Sequence, residues 1–266
     1  MQGSTAAIMQ AANLYVFVTN NPIMWLDPWG LYRVNTVDYA RARGATVTNL
    51  ARNADGQNRM QITYGNVSRT FTVNSGFIQD YTLNNIFGWS SFLTQADRDH
   101  GVGIVITGGN LYRNVTAPVN AALTRTANHA MALQIMAIAN ITNAPGRPTL
   151  VSNVLWFYNQ VNHNAPWDIK EPNSWRQTIG STHPGRMWTG GGYTYTHTYF
   201  RGQRMTAESI GNFTYGYIGA ALGLPLPVLL AGSWYADGFT TGQTFANNEL
   251  VDWGYIQRGV NAFRRR

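Results

Sequence analysis

The chain contains no cysteine. Disulfides and thiolate metal sites are excluded, and cysteine usage leaves the redox compartment open. Lysine is almost absent: of 19 basic residues only Lys170 is a lysine, and the others are arginine. Charged residues make up 12% of the chain, roughly half the usual share. Asn, Thr and Gly take their place, which predicts a neutral-polar surface. No apolar run is long enough to span a bilayer, so no stable membrane insertion is expected. The opening residues, MQGSTAAIMQAANLY, lack the basic and apolar regions of a Sec-type signal peptide. Such a chain is expected to leave its cell only as part of something else.

Hydrophobic residues at 44% and aromatics at 13% argue for a folded core rather than a disordered chain. The 266 residues suffice for one large domain or two small ones. The net charge of +7 is compatible with an anionic partner such as nucleic acid or a cell-wall polymer. The preference for Arg over Lys is explained more simply by a GC-rich coding sequence.

The most informative stretch is Met205 to Leu224. Thr206 is an N-cap residue, and Glu208 follows where a carboxylate suits the helix dipole. Gly223, Pro225 and Pro227 mark the end. Glu208, Asn212, Tyr215 and Gly219 fall at i, i+4, i+7 and i+11 on one stripe. A carboxylate, a carboxamide and a phenol on one face can line a cleft. Gly211, Gly216, Gly219 and Gly223 each cost about 1 kcal/mol relative to Ala in a helix interior. Such glycines are tolerated where another backbone or a ligand comes very close.

Elsewhere the chain divides into a strand-leaning first part and a helical second part. Gln61 to Val73 alternates apolar and polar positions around Gly65-Asn66, which predicts a hairpin. Val102 to Thr107 reads as a strand ended by Gly108-Gly109. Asp97, Asp99 and His100 can in principle meet a metal, but a solvated loop is the simpler reading. Residues 116–143 carry a helical stripe through Leu123, Ala127, Ala130, Met131, Gln134, Ile135 and Ile138. Asn143 to Pro148 breaks it. A short helix is expected over Leu150 to Val161, then an irregular aromatic region with a loose hairpin around Gly190-Gly191-Gly192. The architecture expected is α+β, with a strand-rich N-terminal part, a helix-rich C-terminal part and a central Gly-rich helix. Trp167-Asp168-Ile169-Lys170, if extended, points Asp168 and the single lysine to the same side. A lysine held that way suits an anionic transition state. A surface salt bridge worth at most about 1 kcal/mol is the plain alternative.

Residues 13–31, NLYVFVTNNPIMWLDPWGL, resemble the segment that closes the core of RHS/YD-repeat proteins, with Phe17 where an aromatic Tyr is usual. The resemblance implies that residues 1–31 end a shell, that 32–266 are its C-terminal toxin cargo, and that Leu31–Tyr32 is an autoproteolytic junction. A second resemblance covers about 155–263. Phe157, Tyr158, Val161, Pro166, Trp167, Asp168 and Lys170 resemble the bacterial polymorphic toxin type 44 pattern. The likeness continues through Glu208, Gly211, Asn212, Phe213, Tyr215, Gly216, Gly219, Ala221 and Gly223, and closes with Asp252, Ile256 and Gly259. Ile169 departs from the usual Tyr.

These resemblances imply a secreted interbacterial toxin, delivered into a target cell and matched by an immunity protein. That protein is expected to be acidic, to complement the charge. RNA cleavage without a metal or cofactor is the expected chemistry, with Glu208, Asp168, Lys170, Asn212 and Tyr215 as catalytic candidates. A carboxylate, Glu208 or Asp168, can take a 2′-hydroxyl proton, and Lys170 can stabilise the phosphorane. Trp167, His163, His197, Arg201, Arg204 and Asp252 are the substrate-binding candidates. His163 and His197 are also candidate general acids. A single Glu at a helix start among Trp and Tyr fits a periplasmic glycan hydrolase as well. A non-enzymatic, membrane-disrupting cargo is the third class.

Overall fold

The computed structural model describes residues 33–72, 77–139, 150–188, 193–241 and 248–266. The shell-closing segment and the Leu31–Tyr32 junction lie outside them. The fold is α+β, strand-rich first and helix-rich later.

Strand β1 (Arg33–Asn35) leads into helix α1 (Thr36–Ala42). The Asn35 side chain caps α1 by accepting from the Asp38 N–H at 3.0 Å. A three-stranded antiparallel sheet follows: β2 (Thr46–Leu50), β3 (Arg59–Tyr64) and β4 (Val67–Thr72), in that order. Tyr64 pairs with Val67 across the expected Gly65-Asn66 turn, and Gly65 has φ +54°. Positive φ at the first central position alone is the type II′ hairpin pattern. Strand β5 (Phe77–Gln79) pairs antiparallel with β1, and α2 (Asp80–Phe87) follows. Tyr39, Ile62, Leu83 and Phe87 form the core of this part.

Helix α3 (Gln95–Asp99) occupies the stretch read as a loop. Thr94 and Asp97 form a reciprocal capping box at its start. Asp97 is fully buried, accepts from the Thr182 N–H at 3.0 Å and lies 3.5 Å from Arg113 Nε. Its carboxylate is committed to structure, and His100 is the C-cap.

Strand β6 (Gly103–Thr107) ends at Gly108-Gly109 as expected, and the chain turns back there into β7 (Asn110–Asn114), which the sequence reading did not include. Then come α4 (Thr116–Ala139) and α5 (Leu150–Val161). On α4, Leu123, Ala127 and Ala130 are buried as the stripe requires, whereas Ile135 is 66% exposed and Ile138 60%. The reason is length. Gln134 lies against Gly223 at the end of the helix that α4 packs on, so the turns beyond it outrun their partner.

Helix α6 (Pro172–Thr178) appears where an irregular region was expected. Its signal is Pro172 at the first helical position, where the missing N–H costs nothing. Strands β8 (Arg186–Trp188) and β9 (Tyr193–Tyr195) pair as a hairpin, as do β10 (Thr198–Phe200) and β11 (Gln203–Met205). Strand β10 also runs parallel to β7, with Tyr199 opposite Asn114. The resulting sheet, β11-β10-β7-β6, joins the two parts of the chain, and Ile104 packs against both cores.

The last elements are α7 (Ala207–Ala221), α8 (Leu226–Thr241) and α9 (Asn248–Arg264). Helix α7 is the Gly-rich helix of the sequence. Its start is capped by Thr206, whose hydroxyl accepts from the Ser209 N–H at 3.1 Å. Its end is a Schellman turn: Leu224 N–H bonds Gly219 O at 2.9 Å, Gly223 N–H bonds Ala220 O at 3.0 Å, and Gly223 has φ +84°. Ile210, Ile218 and Leu222 are buried, each worth about 1.5–3 kcal/mol. A Cβ on Gly216 would collide with the Ile256 carbonyl of α9, and one on Gly259 with the Phe213 carbonyl of α7. A Cβ on Gly219 would strike Leu229. At Gly216 and Gly259 the helices therefore meet backbone to backbone. No helix among the described residues is long and apolar enough to cross a membrane.

Candidate functional site

The site gathers on the stripe of α7 that carries Glu208, Gly211, Asn212 and Tyr215. Glu208 is half-buried in the first turn. Asn212, one turn on, donates its amide to Asp252 Oδ1 at 2.6 Å. Asp252 is thereby tied from α9 to the stripe. Tyr215 donates its hydroxyl to the Leu229 carbonyl at 3.0 Å and packs its ring 5.1 Å from Phe157. The hydrogen bond and the ring contact fix the phenol in the helical packing.

The second wall is the loop 162–171. It is a run of turns rather than the extended segment expected, so strand alternation does not set Asp168 and Lys170 on one side. Asp168 instead folds back on His163, with Nδ1 at 3.3 Å from Oδ2. The same oxygen accepts from the Asn164 N–H at 2.9 Å. Asn164 has φ +60°, a left-handed conformation that Asn tolerates better than most residues. The Asp168 side chain is 6% exposed and the His163 side chain 67%. A buried carboxylate thus holds an exposed imidazole by one nitrogen, leaving the other ring nitrogen for proton exchange.

Trp167 anchors the loop from below. It is buried, its indole N–H donates to Thr126 Oγ1 at 3.1 Å, and its backbone N–H bonds Gln160 O at 2.8 Å. Ile169 is fully buried and would touch a Cβ on Gly211 at 3.6 Å. This contact sets the loop on α7, one turn from Glu208 and next to Asn212. Lys170 is half-buried on the same loop.

The β10–β11 hairpin runs into α7. Its turn is Arg201-Gly202, with φ +50° and +75°. Arginine is a poor fit to that backbone, and three contacts hold it there. Its N–H bonds Thr116 Oγ1 at 2.8 Å, its Nε and Nη2 donate to Asn120 Oδ1 at 3.0 and 2.8 Å, and its guanidinium lies 4.9 Å above the Phe213 ring. Burial lowers its pKa from the ordinary value, with the Tyr217 phenol opposing the shift. Arg204 Nη2 donates to His197 Nδ1 at 3.2 Å. Burial lowers the His197 pKa below 6.5, and the Arg204 charge adds to the shift. An imidazole that accepts from arginine is neutral, which suits positioning better than proton donation.

Residues 156–264 match the model of the family described as Bacterial toxin 44. The match indicates a bacterial toxin. Neither a curated protein nor a solved structure matches the chain. The toxin-44 span holds all of α6 to α9, the loop 162–171 and every candidate residue gathered above. Of these, the structure joins His163 to Asp168, Asn212 to Asp252 and His197 to Arg204. The His163–Asp168 pair was legible only in part: Asn162, Asn164 and Pro166 signal a loop that can fold back on itself.

Proposed function

We propose that the chain is a secreted interbacterial toxin, the cargo of an RHS-type shell, and that its C-terminal part is a metal-independent ribonuclease. The observation that carries this reading is the His163–Asp168 pair, seated through Ile169 on α7 beside the turn of Glu208. It supplies two proton-transfer groups of different kind on neighbouring walls.

Glu208 takes the proton from a ribose 2′-hydroxyl. The 2′-oxygen bonds to phosphorus, the bond from phosphorus to the 5′-oxygen breaks, and His163 gives that oxygen its proton. The products are a 2′,3′-cyclic phosphate and a 5′-hydroxyl end. Each proton transfer is worth roughly 10²–10⁴ in rate. Asp168 acts through His163, by fixing its ring. Lys170 offsets the charge of the phosphorane, and fixed cations serve best where water is excluded. Asn212 holds Asp252 in place, and Tyr215 and Trp167 shape the walls.

A glycan hydrolase acting in the periplasm is the second reading. It is favoured by one observation: Asn212 draws Asp252 to the helix stripe one turn from Glu208, and two carboxylates are what glycoside cleavage uses. The partner expected in either case is an acidic immunity protein. Expression of the full chain in a bacterium, with and without an added export signal, separates the readings. RNA loss and growth arrest without export support the ribonuclease. Lysis or rounding only with export supports the glycan hydrolase.

A further inference from the structure

The sheet β11-β10-β7-β6 has two unlike faces. Ile104, Ile106, Leu111, Phe200 and Met205 point inward and pack into the cores. The alternate positions therefore point the other way. They include Val105, Tyr112, Tyr199 and Arg204, and the registers Val105↔Tyr112, Tyr199↔Asn114 and Tyr199↔Arg204 place them side by side. Tyr112 and Tyr199 are half-exposed, with ring centroids 5.4 Å apart. The Arg204 guanidinium lies 5.4 Å over the Tyr112 ring and bonds the exposed His197. Among the described residues no carboxylate pairs with Arg204.

We infer that this outer face binds single-stranded RNA, with bases stacked on Tyr112 and Tyr199 and a phosphate held by Arg204. The inference rests on the ribonuclease reading and names the form of its substrate. Aromatic rings on a sheet beside an uncancelled arginine suit bases that are unpaired and free to stack. The face also ends near the candidate site along the chain. Strand β11 runs through Thr206 into α7, so the Arg204 and Glu208 backbones are at most roughly 14 Å apart, the reach of four residues. A strand lying across the tyrosines is delivered to the N-terminal end of α7. Neither tyrosine stands out in sequence, because only the strand register aligns them.

The test uses the full chain carrying Glu208→Gln, so that RNA is bound and not cut. Binding of a fluorescein-labelled single-stranded RNA of about 12 nucleotides is followed by anisotropy. Tyr112→Ala and Tyr199→Ala are each expected to weaken binding about tenfold, while the Phe variants bind as the parent does. Arg204→Gln is expected to weaken binding and lower the salt slope by about 0.7. The same sequence as a duplex is expected to bind more weakly. If an alanine variant fails to fold, Tyr→Leu keeps the apolar area without the ring and carries the test. Unchanged affinity in folded variants lacking the rings, or equal binding of the duplex, overturns the inference. So does loss on Arg204→Gln alone, which is the signature of a plain charged patch. The chain without Glu208→Gln separates the two proposals. If it leaves RNA intact while binding depends on the tyrosines, the ribonuclease reading fails and the platform stands. If it cleaves RNA while binding ignores them, the platform fails and the ribonuclease stands.

Discussion

The buried carboxylate of Asp168 holds the exposed imidazole of His163 at 3.3 Å. On the proposed mechanism this bond sets which nitrogen of His163 exchanges a proton. His163→Ala should lower single-turnover RNA cleavage by roughly 10²–10⁴. Asp168→Asn should lower it too, with substrate affinity little changed, because the amide cannot hold the ring in the same way. Full cleavage by a folded His163→Ala variant would remove His163 from the chemistry.

Glu208→Gln and Lys170→Ala are expected to abolish toxicity on induced expression while the far-ultraviolet dichroism stays that of the parent. Both side chains are only half-buried, so loss of fold is not the expected route. A folded and fully toxic variant of either kind would sink the assignment.

Two helix glycines should respond in opposite directions to the same change. Gly216→Ala drives a methyl into the Ile256 carbonyl, which is backbone and cannot swing aside. The expected loss is about 3 kcal/mol, read from the urea midpoint. Gly254→Ala on α9 meets nothing within 4 Å. It should stabilise by about 0.5–1 kcal/mol through helix propensity alone. Equal effects at the two sites would contradict the backbone contact.

Asp97→Asn should destabilise by about 1.5–3 kcal/mol, since a buried carboxylate loses charge-assisted hydrogen bonds. The fully buried carboxylate serves the α3 cap, the Thr182 N–H and Arg113 together. Chemical denaturation of Asp97→Asn beside Asp99→Asn checks this. Asp99 sits exposed on the same helix and should matter little.

His197 should titrate below 6.5 in the folded chain, because burial and then Arg204 oppose its protonation. A lowered folded pKa favours the neutral ring. Its contribution to stability is complete above 6.5 and is lost as the pH falls through the lower folded value. The ring resonances of His197 followed by NMR give the midpoint, and Arg204→Gln should move it upward. A midpoint above 6.5 would refute the arrangement.

Local signals carried much of the fold. Thr206, Gly223 and the two prolines bounded α7 because caps and breakers act on their own few residues. Gly65-Asn66 announced its hairpin and Gly108-Gly109 the end of β6 for the same reason. Where a signal depended on a distant partner, the reading went astray. Ile135 and Ile138 continue a helical stripe, yet they stand exposed because α7 ends beside Gln134. Asp97 reads as part of a solvated loop with Asp99 and His100, yet it is buried in a helix cap and against Arg113.

The candidate site shows the same division. Composition, the capped Gly-rich helix, the stripe of Glu208, Asn212 and Tyr215 and the likeness to a toxin family were all present in the order of residues. That Asp168 turns to His163 rather than Lys170 was decided by a loop folding back at Asn164. That Gly216 and Gly259 serve a helix contact was decided by how closely α7 and α9 approach. That Tyr112 meets Tyr199 was decided by a parallel pairing between strands far apart in the chain. Caps, turns and periodicity are short-range and can be read along the sequence. Ion pairs, close approaches and cross-strand neighbours join residues through space, and only the folded chain sets which ones meet.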